Sequence, residues 1–448
     1  MTTAAFGWAK IVRLGLVQTA LGAIVVLMTS TINRVMVVEL ALPALVPGAL
    51  IAAHYCVQGL RPAWGYGSDV GGRRTPWIIG GMAALALGAV GAALGTALAA
   101  TSRPLGVALA GLSFLVVGIG VGAAGTSVLA MLASRVTAGR RAAAASTVWM
   151  MMILGFALSA PLAGHFLDPF SNARLIAVMT SVSVTAFLIA VLAVWGLEND
   201  VAPSPERRPA ARAQAGFASA LKGQWSDPAA RRFAIFIFMS MLAYSAQELL
   251  VEPFAGLVFG MTPGVTTQLA GLQHGGVLTG MVGVAIAASV IGGPVLGSLR
   301  LWTISGCLAS AVCLLAIAAA GLLSAGSGAL VAAVFGLGVS NGVFSVAAIG
   351  SMMALAGVGT ASREGTRMGI WGAAQAIAFG LGGITATLIV DAARGLSASA
   401  STAYGLAFAA DAALFVFSAA LASASAKEVS LGGAGRVLTR SGVVSAQS

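Results

Sequence analysis

Charge is what this sequence has least of. Asp, Glu, Lys and Arg make up 8% of its 448 residues, where a soluble domain carries about 25%. That excludes an ordinary water-soluble fold. A net charge of +11 would point to nucleic acid in a soluble protein. In so apolar a chain it reports on topology instead, and no nucleic-acid partner is expected. Cysteine is nearly absent too. Cys56, Cys307 and Cys313 all lie in apolar runs, which suits small core residues better than disulfides or metal ligands. The three histidines are scattered, and His54 is the only one well inside an expected helix. There is no HExxH, no paired-cysteine motif and no serine elbow. Gly80-Gly81 has no strand or Walker lysine beside it. No two aspartates lie close enough to hold Mg²⁺ and a diphosphate, as membrane prenyltransferases do. The chain is therefore not expected to be an enzyme, and no metal site is expected.

What is present is long apolar sequence. The chain is 58% hydrophobic with mean hydropathy +0.97. A spanning helix needs about 20 apolar residues. Twelve such runs can be placed near Leu14–Val38, Pro43–Leu60, Pro76–Ala100, Leu105–Ala133, Ala142–His165, Leu175–Leu197, Phe233–Phe259, Val277–Leu299, Trp302–Ser324, Ala329–Leu355, Gly369–Val390 and Thr402–Ala424. Lys10 and Arg13 precede the first run and no small-residue cleavage site follows, so that run is read as a retained helix. The expected fold is an all-α polytopic membrane protein with twelve transmembrane helices in two six-helix halves. A polar interval with Pro203, Pro205 and Pro209 divides them, and reads as a linker. The divisions are a bundle over 1–198, a cytoplasmic linker over 199–231, a second bundle over 232–426 and a flexible tail over 427–448, rich in Gly and Ser.

Basic residues near helix ends set orientation. With both termini cytoplasmic, only Arg34, Arg103, Arg174 and Arg394 fall on the outer side. Every other lysine and arginine falls inside. The halves also share a faint repeat. Ser134-Arg135 and Arg140 precede Trp149 and Asp168; Ser362-Arg363 and Arg367 precede Trp371 and Asp391. The Trp-to-Asp spacings are 19 and 20 residues. Glycine runs such as Gly118–Gly122 suit close helix packing in lipid and say nothing about a ligand.

The most polar short loop is Gly65-Tyr66-Gly67-Ser68-Asp69-Val70-Gly71-Gly72-Arg73-Arg74. Its pattern G-x-x-x-D-x-x-G-R-R resembles the loop between the second and third helices of major facilitator superfamily proteins. The resemblance implies that Gly65, Asp69, Gly72, Arg73 and Arg74 latch cytoplasmic helix ends and bias which side opens. Val70 departs from it, since a basic residue is usual there. The counterpart in the second half, Gly293 to Arg300, lacks the acid and the arginine pair.

A narrower resemblance rests on three segments. They are Thr31-Ile32-Asn33-Arg34-Val35-Met36-Val37-Val38-Glu39-Leu40 before Pro43, Gln247-Glu248-Leu249-Leu250-Val251-Glu252-Pro253-Phe254, and Gly71-Gly72-Arg73-Arg74-Thr75-Pro76-Trp77-Ile78. From about Arg13 to Leu421 the chain resembles PucC-type proteins of purple phototrophic bacteria, and most of all the branch labelled a bacteriochlorophyll synthase chain. No residue pattern supports the synthase label. The resemblance implies a non-enzymatic factor that assembles light-harvesting antennae in the photosynthetic intracytoplasmic membrane. Its partners would be the lipid bilayer, light-harvesting polypeptides and bacteriochlorophyll, the last as bound cargo, or the enzymes of its synthesis. The other readings are a proton-coupled transporter of a small amphiphile and a subunit of bacteriochlorophyll synthesis.

Asn33, Arg34, His54, Gln58, Glu248 and Glu252 are the candidate ligand or pigment contacts. Arg34 and Glu39 lie near the outer surface, where Arg34 can meet an acid, a head group or only the interface. At α-helical spacing Glu39, five residues on, does not share its face. Glu248 and Glu252 are four apart and do share one. Intramembrane acids are costly and usually face an interior cavity. These two can couple protons, touch pigment or antenna peptide, or pair structurally with Arg34. Glu252 is expected near the outer interface, with Pro253 able to break the helix there. Asp411 carries the same alternatives. His54 can ligate the magnesium of a bacteriochlorophyll with Gln58, on the same face, holding its other nitrogen, or simply bond between helices.

Overall fold

Apolar runs without internal polar punctuation have one way to satisfy their backbone in lipid, which is to become helices. The computed structural model describes residues 6–61, 64, 73–137, 140–198, 228–292, 296–356 and 364–441. Among these it has twelve helices and no strand. They are α1 Trp8–Glu39, α2 Leu45–Leu60, α3 Thr75–Ala99, α4 Arg103–Arg135, α5 Arg141–Leu167, α6 Asn172–Val194, α7 Pro228–Phe259, α8 Pro263–Ile286, α9 Leu299–Leu322, α10 Ser327–Ala356, α11 Glu364–Gly395 and α12 Ala400–Ser441. Eleven hold a stretch long and apolar enough to cross a membrane, and α2 is shorter. The starts follow local chemistry. Ser171, Thr262 and Ser298 cap α6, α8 and α9 through their side-chain oxygens, and Pro76, Pro104 and Pro263 sit in first turns, where the missing N–H costs nothing.

Packing is doubly repeated. In the first half α1 packs on α5 and α6, α2 on α4, and α3 on α4 and α6. In the second half α7 packs on α11 and α12, α8 on α10, and α9 on α10 and α12. Each helix of one half thus has a counterpart six helices on. The halves meet mainly through α5 against α8 and α2 against α11, which the same two-fold relation exchanges. Each half has its own apolar core. One is built around Leu14, Met82 and Phe114, the other around Phe254, Phe344, Phe408 and Phe415. Leucines such as Leu87, Leu112 and Leu192 point outward, as a lipid-facing surface requires.

Several expected boundaries move. Helix α8 starts at Pro263, not Val277, and leaves helical geometry at Gly292, whose φ is +63°. Its first half carries Thr266, Thr267, Gln273 and His274, all buried, so an apolar run could not mark where it begins. Helix α7 starts at Pro228, inside the interval read as linker. It continues through Pro253 to Phe259, the end expected from the apolar run, so Pro253 does not break it. Helix α12 runs to Ser441, although 427–448 reads as a flexible tail; no proline interrupts 400–441, so nothing forces an earlier stop. Of the resembling loop, Gly65, Asp69 and Gly72 lie outside the described residues, as does most of the linker. Cys307 is a core residue, whereas Cys56 is exposed on α2, against the expectation that all three are core.

Candidate functional site

The halves are joined by a seam whose polar side chains come mostly from α1, α7 and α8. Helix α1 is locally wide there, with π-helical turns over Leu27–Ile32 and Val35–Glu39. A π turn closes on the fifth residue rather than the fourth. It therefore brings Glu39 onto the face of Arg34, and the two form an ion pair. The expectation that spacing keeps them apart holds for an α-helix and fails for this one. Arg34 is fully buried. It also crosses the seam, donating from Nη2 to the Met261 carbonyl at 2.7 Å. Its cross-half partner is a backbone oxygen, not Glu248 or Glu252.

Asn33 has a more specific task. Proline has no N–H, so Pro253 leaves the carbonyl of Leu249, four residues back, without its helical donor. Asn33 supplies one from Nδ2 at 2.8 Å. A side chain of the first half thus fills a backbone gap in the second. Two residues earlier, Thr31 and Thr267 join hydroxyls across the same seam at 3.0 Å.

Glu248 and Glu252 both face this seam. The Glu248 carboxylate lies 3.7 Å from His274 Nε2. His274 Nδ1 bonds the Ala270 carbonyl at 2.8 Å, which requires Nδ1–H and leaves Nε2 as a lone pair when the ring is neutral. Phe156 of the first half meets the His274 ring edge-on at 4.8 Å. Tyr244 stands within hydrogen-bonding reach of Glu248, with Tyr55 beside it, and both tyrosines contact Phe379. Glu252 is buried, about two turns from the end of α7 rather than at its rim. Ser30 and Thr266 face it, but their hydroxyls donate to the Val26 and Pro263 carbonyls. Neither Glu252 oxygen has a hydrogen-bond partner, and neither polar atom of the Gln247 amide has one.

His54 lies elsewhere, on α2. It is buried, and its Nε2 is 2.8 Å from Gln58 Nε2, while Arg61 bonds the Gln58 oxygen. The His54 Nδ1 has no partner. Asp411 is buried in α12 with Oδ2 unpartnered. Arg73 is exposed. Arg74 holds the α4 terminus, bonding the Ala130 carbonyl at 2.5 Å and the Ser134 hydroxyl. No group of three His, Cys, Asp or Glu that could hold a metal occurs among the described residues.

Two residues escaped sequence reading. His274 was hidden by the polar start of α8. Glu198 was read as the edge of the linker. It is buried and accepts from the Arg74 and Thr75 backbone N–H groups at 3.0 and 2.8 Å, capping α3 with a charge the helix dipole favours. Its only signal was being the last acid before a polar interval.

Two six-helix halves meeting at a buried polar seam define a transporter-type fold, and solved structures agree. The chain superposes on the nucleoside transporter NupG with TM-score 0.67 at 13% identity, covering 93% of this chain and 99% of that one. It superposes on a D-xylose-proton symporter with TM-score 0.67 at 16% identity, covering 91% and 97%. The fold is that of the major facilitator superfamily. Residues 31–428 match the PUCC protein family, and the chain belongs to it. It is 51% identical to the "Bacteriochlorophyll synthase 44.5 kDa chain" of Rhodobacter capsulatus over 97% of this chain and 98% of that protein. It is 28% identical to Protein PucC of the same organism over 85% and 84%.

Proposed function

We propose that this protein serves the biogenesis of bacterial photosynthetic complexes, as a non-enzymatic membrane factor that assembles light-harvesting antennae and handles bacteriochlorophyll. The observation that carries the reading is similarity along nearly the whole chain to a protein whose name ties it to bacteriochlorophyll. The seam supports a handling role. Its polar groups act as helix-to-helix contacts and single buried acids, the kind of surface that meets carbonyls, a magnesium ion or a peptide edge. Each of the two buried histidines has one ring nitrogen held by a hydrogen bond: His54 Nε2 by Gln58, which leaves Nδ1 without a partner, and His274 Nδ1 by the Ala270 carbonyl, which leaves Nε2 facing Glu248. The proposed setting is the photosynthetic intracytoplasmic membrane, with light-harvesting polypeptides as partners.

Deletion in a phototrophic host tests this. Assembled antenna should fall several-fold while mature bacteriochlorophyll is still made, as read by absorption spectra and pigment extraction. Accumulation of an unesterified precursor would move the protein into bacteriochlorophyll synthesis. Normal antenna and normal pigment would leave the second reading, a proton-coupled transporter of a small amphiphile. Glu248 beside His274, and Glu252 without a donor, favour that one.

A further inference from the structure

The sequence repeat that ends in Asp168 and Asp391 is unused by anything above, and the structure gives it a place. Asp168 follows α5. It accepts from the Thr262 hydroxyl at 2.5 Å and from the Gly264 N–H at 3.2 Å, at the start of α8. Asp391 lies near the end of α11. It accepts from the Ala44 and Leu45 N–H groups at 3.0 and 2.7 Å, at the start of α2. In both cases the fifth helix of one half sends a carboxylate onto the start of the second helix of the other half: at Asp168 onto the Thr262 capping hydroxyl and one backbone N–H, at Asp391 onto two backbone N–H groups. Those N–H groups lack partners within their own helix, and the helix dipole favours an anion there. Both contacts lie on the face opposite the chain termini, because α5 and α11 end there and α2 and α8 begin there. They also lie on the two helix pairs that join the halves.

The backbones close tightly just below. A Cβ on Gly164 would come within 2.5 Å of the Gly264 carbonyl, and one on Gly264 within 2.4 Å of the Gly164 carbonyl. A Cβ on Gly48 would sit 2.5 Å from the Thr387 hydroxyl. Between these two closures lies the seam.

We propose that Asp168 and Asp391 are a paired latch that shuts the seam at this face, and that both must release for the seam to open there. A carboxylate makes a suitable releasable clasp. It binds strongly to an unsatisfied helix start, and water at the membrane surface takes it back when the helices part. A purely apolar contact would lack that directionality. Neither aspartate contacts Arg74, which bonds Ala130 and Ser134 near the end of α4, at the other face.

Thiol labelling of the full-length protein in membranes tests the latch. Cys56 and Cys313 are replaced by Ser, and Thr267→Cys reports from the closed seam opposite Thr31. Cys307, fully buried in the second-half core, stays as a reporter of unfolding. Asp168→Asn with Asp391→Asn should raise labelling of Thr267→Cys by a hydrophilic maleimide at least tenfold, with Cys307 still protected. Each single substitution should give a smaller rise, since one clasp remains. Labelling unchanged within twofold in the double variant would overturn the latch. So would a parallel rise at Cys307, which would make the aspartates general structural supports.

Discussion

At the scale of single residues, Asn33 is the informative one. It is fully buried, and one of its amide hydrogens goes to a carbonyl that exists unpaired only because Pro253 follows four residues later. Leaving a buried acceptor unsatisfied costs about 1–3 kcal/mol, and hydrogen bonds between membrane helices measure somewhat lower. Asn33→Leu should therefore lower thermal stability in detergent by about 1–2 kcal/mol. Pro253→Ala restores an N–H for Leu249, so the same Asn33 substitution should then cost much less. A double-mutant cycle gives that difference directly. Equal losses in both backgrounds would mean that Asn33 holds the halves by something other than the proline gap. A mutation in the first half is thus predicted to be excused by one in the second.

At the scale of elements, the π turns of α1 decide what Arg34 can reach. With α geometry its partner at the next turn would be Val38; with the π turn it is Glu39. Glu39→Gln should cost about 1–2 kcal/mol in thermal stability. That is less than the 3–5 kcal/mol typical of a fully buried pair, because the Glu39 side chain keeps 35% exposure. Moving the acid one place, as Val38→Glu with Glu39→Val, should not recover the loss. Recovery would show that the turn is an ordinary α turn in the membrane. The same element explains what was legible. Twelve apolar runs announced twelve helices, since length and hydropathy are local properties. The wide turns of α1 were not legible, because nothing in Val35 to Glu39 distinguishes a π turn from an α turn. The start of α8 was not legible for the opposite reason. Thr267 and His274 face the other half and Thr266 faces Glu252 of α7, and a rule that seeks apolar runs reads a buried polar face as a loop. Glu248 and Glu252 could be picked out from their chemistry alone. Their partners could not, because His274, Ser30 and Thr266 come from other helices.

At the scale of the whole molecule, the two-fold relation and the charge distribution bear on different questions. The relation between helices fixes which helix ends share a face. It puts Asp168, Thr262, Ala44 and Asp391 together, and puts both chain ends on the opposite face from them. It cannot say which face is the cytoplasm. Charge can, because basic residues are retained inside. On the terminal face, arginines also do structural work. Arg13 bonds the Ala193 and Trp195 carbonyls at the end of α6, Arg140 bonds the Phe6 carbonyl, and Arg300 bonds the Ser423 carbonyl. These contacts are set by the fold and not by the side of the membrane, so they would survive an inverted topology. The bias survives their removal from the count. Lys10, Arg61, Arg73, Arg74, Arg135, Arg141 and Arg231 also lie on that side, with Arg34, Arg103, Arg174 and Arg394 on the other. The terminal face is therefore expected in the cytoplasm, and the latch of Asp168 and Asp391 at the outer face. A reporter inserted near Pro209 should read as cytoplasmic, and one inserted at Ser397, between α11 and α12, as external. The two insertions must disagree with each other, because an even number of crossings separates the linker from the C-terminus and Ser397 lies one crossing short of it. Agreement between them would break the twelve-helix topology, and disagreement with the sides exchanged would keep the fold but turn the latch toward the cytoplasm.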